Sequence, residues 1–323
     1  MRKAWIIFIL LFAFSGSLIG QGVAAEKIGW PKKPITLIIG WAQGGGADIT
    51  SRAVFHPFVE KILGQKIIIT NKTGAGGEIS FVELANSRPD GYTFGWTVTP
   101  NLVSFPISRK TQYQLKDLEP VSNITYDPGV FVVPIDSPLN SLKDIVKYAN
   151  ENPGKMTIGN GGTGGDDFIA VELFKQACKC DITQVPYAEG TGAQISGLLG
   201  GHIMVSAINA TESQSYAEGG KVKVLGVMNE ERVDIIPDVP TFTEQGYDII
   251  SGSFRGFSAP AGTPKPIIEK MASAVADTMK NPEFLKRAKN LKLIVKYMGP
   301  DDYKKFLYDF KKKVKVIFDA VPW

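Results

Sequence analysis

Gly40-Trp41-Ala42-Gln43-Gly44-Gly45-Gly46-Ala47-Asp48 follows the apolar run Ile35-Thr36-Leu37-Ile38-Ile39 and precedes Ile49 to Leu63, which Gly64 closes. The run reads as a buried strand, and the stretch after the glycines as a helix with Gly64 as its stop signal. A strand that empties through glycines into a helix start has the form of an anion cradle. The backbone there can approach a ligand closely, and the first N–H groups of the helix have no partner inside it. This turn is expected to form half of a ligand site, with the rest of the chain supplying the other half.

Upstream of it, Arg2 and Lys3 precede an unbroken apolar run from Trp5 to Phe14, and Val23-Ala24-Ala25 offers small residues for a cut after Ala25. That is the pattern of a secretory signal peptide over residues 1–25, and the run is short of the roughly 20 residues a membrane span needs. The expected destination is the periplasm. Cleavage leaves 298 of the 323 residues, and removing two basic residues of the leader leaves 34 basic against 32 acidic. That near-neutral balance gives no sign of nucleic acid. Lys304, Lys305, Lys311, Lys312, Lys313 and Lys315 crowd the C-terminal stretch and read as a solvated helix face. Cys178 and Cys180 are too few for a metal site and can be free or bridged.

Downstream, strand, Gly-rich turn and helix alternate. Lys66 to Thr70 reads as a strand, Asn71 to Gly77 as a glycine turn, Glu78 to Asn86 as a helix and Tyr92 to Val98 as a strand. Pro57 is expected to kink the first helix without breaking it. From Tyr126 a second unit begins, with strands at Gly129–Pro134 and Lys155–Ile158. There the opening pattern recurs as Gly159-Asn160-Gly161-Gly162-Thr163-Gly164-Gly165-Asp166-Asp167, followed by a helix from Phe168. Further strands are read at Ile203–Ile208, Lys221–Val227 and Phe254–Ala259, and helices at Pro266–Met279, Pro282–Asn290 and Pro300–Phe318. Such alternation implies an α/β fold with a helix-covered sheet. Two matched turns imply two similar lobes whose turns face each other across a cleft, at the carboxyl ends of the strands.

Little in the chain suggests chemistry. His56 and His202 are the only histidines, and no Gly-x-Ser-x-Gly, phosphate-loop or dinucleotide pattern is present. Asp48, Asp166 and Asp167 are read as helix-start residues favoured by the dipole rather than metal ligands. No catalytic residue, metal or cofactor is expected.

Several motifs in series resemble the tripartite tricarboxylate transporter substrate-binding proteins, the Bug or TctC family. They are Trp30-Pro-Lys-Lys-Pro-Ile-Thr36, Gly44-Gly-Gly-Ala-Asp48, Asn71-Lys-Thr-Gly-Ala-Gly-Gly77, Arg88-Pro-Asp-Gly-Tyr92, Val185-Pro-Tyr187, Leu198-Leu-Gly-Gly-His202, Pro237-Asp-Val-Pro-Thr241, Glu244-Gln-Gly246 and Ala259-Pro-Ala-Gly-Thr-Pro264. The resemblance covers nearly all of the mature chain. It implies a type II periplasmic binding protein-like fold, with two α/β lobes that close on a ligand. It also implies a non-enzymatic, monomeric receptor that hands a small organic carboxylate to a permease of one large and one small integral subunit. Di- and tricarboxylates, acidic amino acids and aromatic carboxylates are the implied ligands. A periplasmic sensor feeding a membrane receptor, or an exported enzyme on the same fold, are the alternative roles.

By position, the resemblance carries ligand contacts to Trp41, Gln43, Gly44, Gly45, Gly46, Ala47 and Asp48, and in the second loop to Gly161, Thr163, Gly164 and Asp166. Gln43 stands where the family usually has proline, and Arg255 where many members have an aromatic residue. Arg255 is the cationic side chain expected near the cleft, because it can pair with a carboxylate in bidentate fashion. Thr99, Tyr187 and Asn209 are expected at strand ends facing it. The lobes are expected at residues 26–126 with 251–323, and at 127–250, joined by crossings near Ile124–Asp127 and Ile250–Phe254.

Overall fold

The computed structural model describes residues 29–187 and 190–323. The signal-peptide reading lies outside the described residues. Strand β1 (Ile35–Ile39) leads through the glycine turn into α1 (Gly46–Val54). The helix then widens into a π-helical turn at Phe55–Val59, around Pro57, and resumes as α2 (Glu60–Leu63), which Gly64 ends in the left-handed region. The kink expected at Pro57 is thus a wider turn. Proline has no N–H to give to the ladder, and the π turn accommodates that without ending the helix.

Next come β2 (Ile67–Asn71), α3 (Glu78–Ala85), β3 (Thr93–Thr99), α4 (Asn101–Ser108) and the 17-residue strand β4 (Leu118–Pro134). They are followed by α5 (Leu142–Glu151), β5 (Met156–Asn160), α6 (Asp166–Cys178), β6 (Ile182–Pro186), α7 (Thr191–Leu199), β7 (Val205–Asn209), α8 (Ala210–Glu218) and β8 (Val222–Val227). The chain ends with β9 (Gly252–Pro260), α9 (Lys265–Lys280), α10 (Pro282–Asn290), β10 (Val295–Met298) and α11 (Pro300–Ala320).

The strands run β2-β1-β3-β9-β4-β7-β5-β6, with β8 and β10 added beside β4. β1 is parallel to both β2 and β3, and β5 is parallel to both β6 and β7. Each trio is a doubly wound unit, because every parallel step needs a helix to cross over. Between the trios, β4 and β9 are antiparallel from Leu118↔Pro260 to Pro128↔Gly252. Past Pro128, β4 continues between β7 and β8.

Burial follows this division. One core gathers Leu37, Phe55, Trp96 and Phe257 under α9, and another gathers Phe131, Ile158, Phe174 and Phe242 against α5 and α6. Tyr126 sits at the passage between them. Its hydroxyl lies 3.0 Å from the Met228 carbonyl and 3.1 Å from the Ser251 carbonyl, so both backbones are pinned to β4. Among the described residues no helix is long and apolar enough to cross a membrane. Cys178 and Cys180 are free thiols, and burial raises Cys178 to about 12.

Candidate functional site

The two glycine loops are close copies in backbone geometry. Gly45 N–H donates to the Ala42 carbonyl at 3.1 Å, and Gly165 N–H donates to the Gly162 carbonyl at 3.2 Å. Gly44 and Gly164 have φ of 81° and 80°. Gly45 and Gly165 then serve as helix N-caps with extended backbone, and neither offers a side chain to the turn behind it. The first-turn N–H groups of α1 and α6 are thereby left available.

Between the loops lies a cleft of about 580 Å³, within the range of small-molecule sites. Its first wall is rich in glycine: Gly40 to Ala42, Gly45 to Ala47, Thr73 to Gly77, Val98 and Asn101. Close approach makes that wall possible. A Cβ on Gly40 would lie 2.8 Å from the Gly77 Cα, and one on Gly77 would lie 2.7 Å from the Trp41 ring. The opposite wall carries Gly161, Gly165, Asp166, Asp167, Gly190, Thr191, Asn209 and Glu212, and Ser253 and Arg255 form the floor. The starts of α1, α3, α6, α7 and α8 all border this space, so their positive dipole ends converge there.

Of the expected residues, Trp41, Gly45, Gly46, Ala47, Gly161, Asp166, Asn209 and Arg255 line the cleft. The others stand elsewhere. Gln43 and Gly44 are exposed and do not line it. Asp48 is buried behind its loop. It accepts the Gly44 N–H at 3.0 Å, Arg52 Nε at 2.9 Å and Asn71 Nδ2 at 3.0 Å. Burial alone would raise its pKa, but these donors outweigh that and hold it at about 2. Asp48 therefore shapes the loop. Thr99 is buried, with its hydroxyl on the Phe254 carbonyl at 3.3 Å.

Thr163 borders a neighbouring hollow of about 510 Å³ with Phe105 and Arg109. Gly164 gives its carbonyl to the Ser104 hydroxyl at 2.7 Å. Tyr187 packs into the space that Gly159 and Gly197 leave open, half-buried against the core of the second unit. The lining residues not anticipated include Asp167, Thr191, Glu212, Asn101 and Ser253. Asn209 and Glu212 form a capping box, a spacing visible in sequence. The meeting of Glu212 with Thr191 and Asp167 depends on tertiary folding.

Charge is distributed unevenly around this space. Arg255 Nη2 lies 3.1 Å from Asp127 Oδ2, and both residues are buried. Its other terminal nitrogen, Nη1, lies 3.5 Å from where a Gly46 Cβ would stand, at the start of α1. Asp166 accepts from Asn209 Nδ2 at 2.8 Å, Asp167 from the Gly161 N–H at 3.2 Å, and Glu212 from the Thr191 hydroxyl at 3.0 Å. Burial is the main cause that raises all three carboxyls, Asp167 most clearly, with Asp166 and Glu212 adding like charge to it.

The sequence profile described as "Tripartite tricarboxylate transporter family receptor", TctC, matches residues 52–322. The chain belongs to the TctC family. A relative from Cupriavidus necator, the UPF0065 protein in the gbd 5′ region, is 33% identical over 92% of this chain and 90% of its own. The crystal structure of a TctC solute-binding protein from Polaromonas, without ligand, has TM-score 0.76 and 29% identity, covering 90% of this chain and 100% of that one. MatC from Rhodopseudomonas palustris, solved with bound malate, has TM-score 0.77 and 25% identity over 89% of this chain and 99% of its own. The fold is accordingly that of the two-lobe periplasmic solute-binding proteins of this TctC family. Proteins of this family are receptors for small solutes rather than enzymes.

Proposed function

We propose that this TctC-family chain is an extracytoplasmic receptor that captures a small organic carboxylate between two lobes and presents it to a membrane permease of one large and one small integral subunit. In this reading the chain is exported after a cut behind Ala25, works in the periplasm as a monomer, and closes by bending where β4 and β9 pair. The lobes are residues 26–126 with 251–323, and residues 127–250.

One observation carries the reading: an uncapped α1 start faces a cleft whose first wall is rich in glycine, with Arg255 beside it. A carboxylate set there would accept N–H groups of Gly46 and Ala47 and a guanidinium N–H, all charge-assisted bonds. The malate held by MatC is consistent with this chemistry. A thermal-shift screen of mono-, di- and tricarboxylates tests the proposal, because a ligand that binds only the folded state raises the melting temperature. At least one carboxylate should raise it in a concentration-dependent way. Shifts with sugars or amines alone would overturn it.

A further inference from the structure

The two glycine loops share a backbone geometry but not their surroundings. Gly44 is exposed, and a Cβ there would meet nothing within 4 Å. Gly164, at the matching position, is buried. A Cβ there would lie 3.2 Å from Trp323 Nε1 and 3.4 Å from Ser104 Oγ. Both neighbours come from outside the second unit, Ser104 from α4 and Trp323 from just beyond α11.

Neither side chain does what its own helix would ask of it. A helical serine or threonine can return its hydroxyl to the carbonyl four residues back, as Thr50 and Ser196 do. Ser104 gives its hydroxyl instead to the Gly164 carbonyl at 2.7 Å, and is wholly buried there. Trp323 could close the apolar end of α11 by resting on Phe318 alone, 5.0 Å away between ring centroids. It also meets the Phe168 ring of α6 edge-on at 5.2 Å. Its Nε1 is buried with no hydrogen-bond partner among the described residues, so packing holds the ring in place.

The arm behind Trp323 is stiff and rooted away from the second unit. Tyr303 is fully buried, and its hydroxyl lies 2.9 Å from the Thr97 hydroxyl of β3. From there α11 runs for about 30 Å. Phe306 rests on Phe254 of β9, with ring centroids 4.4 Å apart. Further on, Val314 and Ile317 border a hollow of about 440 Å³ with Ile169 and Leu173 of α6. Contact with α6 is thus close at Trp323 and leaves room behind it.

We propose that Ser104 and Trp323 are positioning residues that latch the second glycine loop to the first lobe from outside the cleft, and so hold the lobes together before a ligand arrives. This rests on the two-lobe reading above and adds to it a device that does not touch the ligand, since neither residue lines the cleft. A ligand that binds only the closed form loses apparent affinity in proportion to the fraction closed. Loss of the latch therefore weakens every such ligand by one common factor.

Small-angle scattering of the mature protein without ligand tests the latch. In Trp323→Ala the radius of gyration should rise, because losing the ring contacts lowers the closing constant by about tenfold. Ser104→Ala should move it the same way by less, and a retained melting transition certifies that each variant is folded. Calorimetry with malate and adipate gives a second readout. Each acid that binds the parent should bind Trp323→Ala more weakly, by the same factor of up to about tenfold. An unchanged radius in both variants would overturn the latch even if their melting temperatures fell, because a merely structural role lowers stability alone. Failure of both acids to bind the parent would count against the carboxylate reading, and the scattering comparison would still decide the latch.

Discussion

Arg255 and Asp127 face each other across the β9–β4 pairing, with Nη2 and Oδ2 3.1 Å apart and both side chains almost wholly buried. Asp127 is held from its other side by the Thr211 backbone N–H at 3.1 Å and by the Thr211 hydroxyl. The pair thus ties β9, β4 and the start of α8 together at the cleft floor.

Removing only one partner should be costly, because it strands a buried charge. Asp127→Asn is expected to lose about 3–5 kcal/mol in urea unfolding, with the double variant Arg255→Met/Asp127→Asn recovering part of it. In ligand titrations, Arg255→Ala should weaken every carboxylate that binds the parent protein. Unchanged affinities would take Arg255 out of ligand contact.

Asp48 gives a prediction that depends on pH. Its carboxyl is held at about 2, below the ordinary 3.8, so its contribution is present above pH 4 and is lost as pH falls through about 2. The shift corresponds to on the order of 2 kcal/mol. Asp48→Asn should lose that much in denaturant unfolding at neutral pH. Its deficit should shrink as the medium is acidified towards the folded pKa, and a deficit that stays constant would contradict the ionic role.

For Asp167 the sign reverses. A carboxyl whose folded pKa is raised contributes stability below its unfolded value, and that contribution is lost as pH rises through the folded one. Asp167→Asn should therefore melt higher than the parent at neutral pH without ligand and gain little in acid. Each kcal/mol recovered should raise the melting temperature by about 2 °C, since the shift is about 2–4 °C at 150–250 residues and falls with chain length. An equal gain at both pH values would point to packing instead of charge.

The glycine wall can be probed by contrast. Gly44 has φ of 81° and open space where a Cβ would stand, whereas Gly77 has φ of 96° and the Trp41 ring at 2.7 Å. Gly44→Ala should cost about 1–2 kcal/mol from backbone conformation alone. Gly77→Ala adds overpacking of about 1–3 kcal/mol. Chemical denaturation of the two variants should show Gly77→Ala as clearly the weaker.

The paired loops, the helices they start and the α/β alternation were legible in the sequence because each is local: apolar run, glycines, amphipathic stretch. The elements that escaped it break local rules. Helix α4 begins after Pro100 and contains Pro106, and β4 carries Pro120 and Pro128 within a strand. Proline argues against both, yet the chain tolerates them where pairing shifts register, as it does beside Pro120. Side-chain direction was the other gap. Asp48 turns away because Arg52 lies one helical turn on and Asn71 approaches from β2. Tyr187 turns into the core because two distant glycines vacate room for its ring. Neither partner set is visible from the residue itself.

A wall made of peptide groups has a consequence for how such a receptor changes over generations. Apart from proline, which has no N–H, no substitution removes the backbone donors that Gly46 and Ala47 present. A single-codon change at Asp166, Asp167 or Glu212 rewrites the opposite wall without touching the backbone that holds it. Inheritance can thus keep one wall's backbone donors fixed while the chemistry of the other is renegotiated one residue at a time.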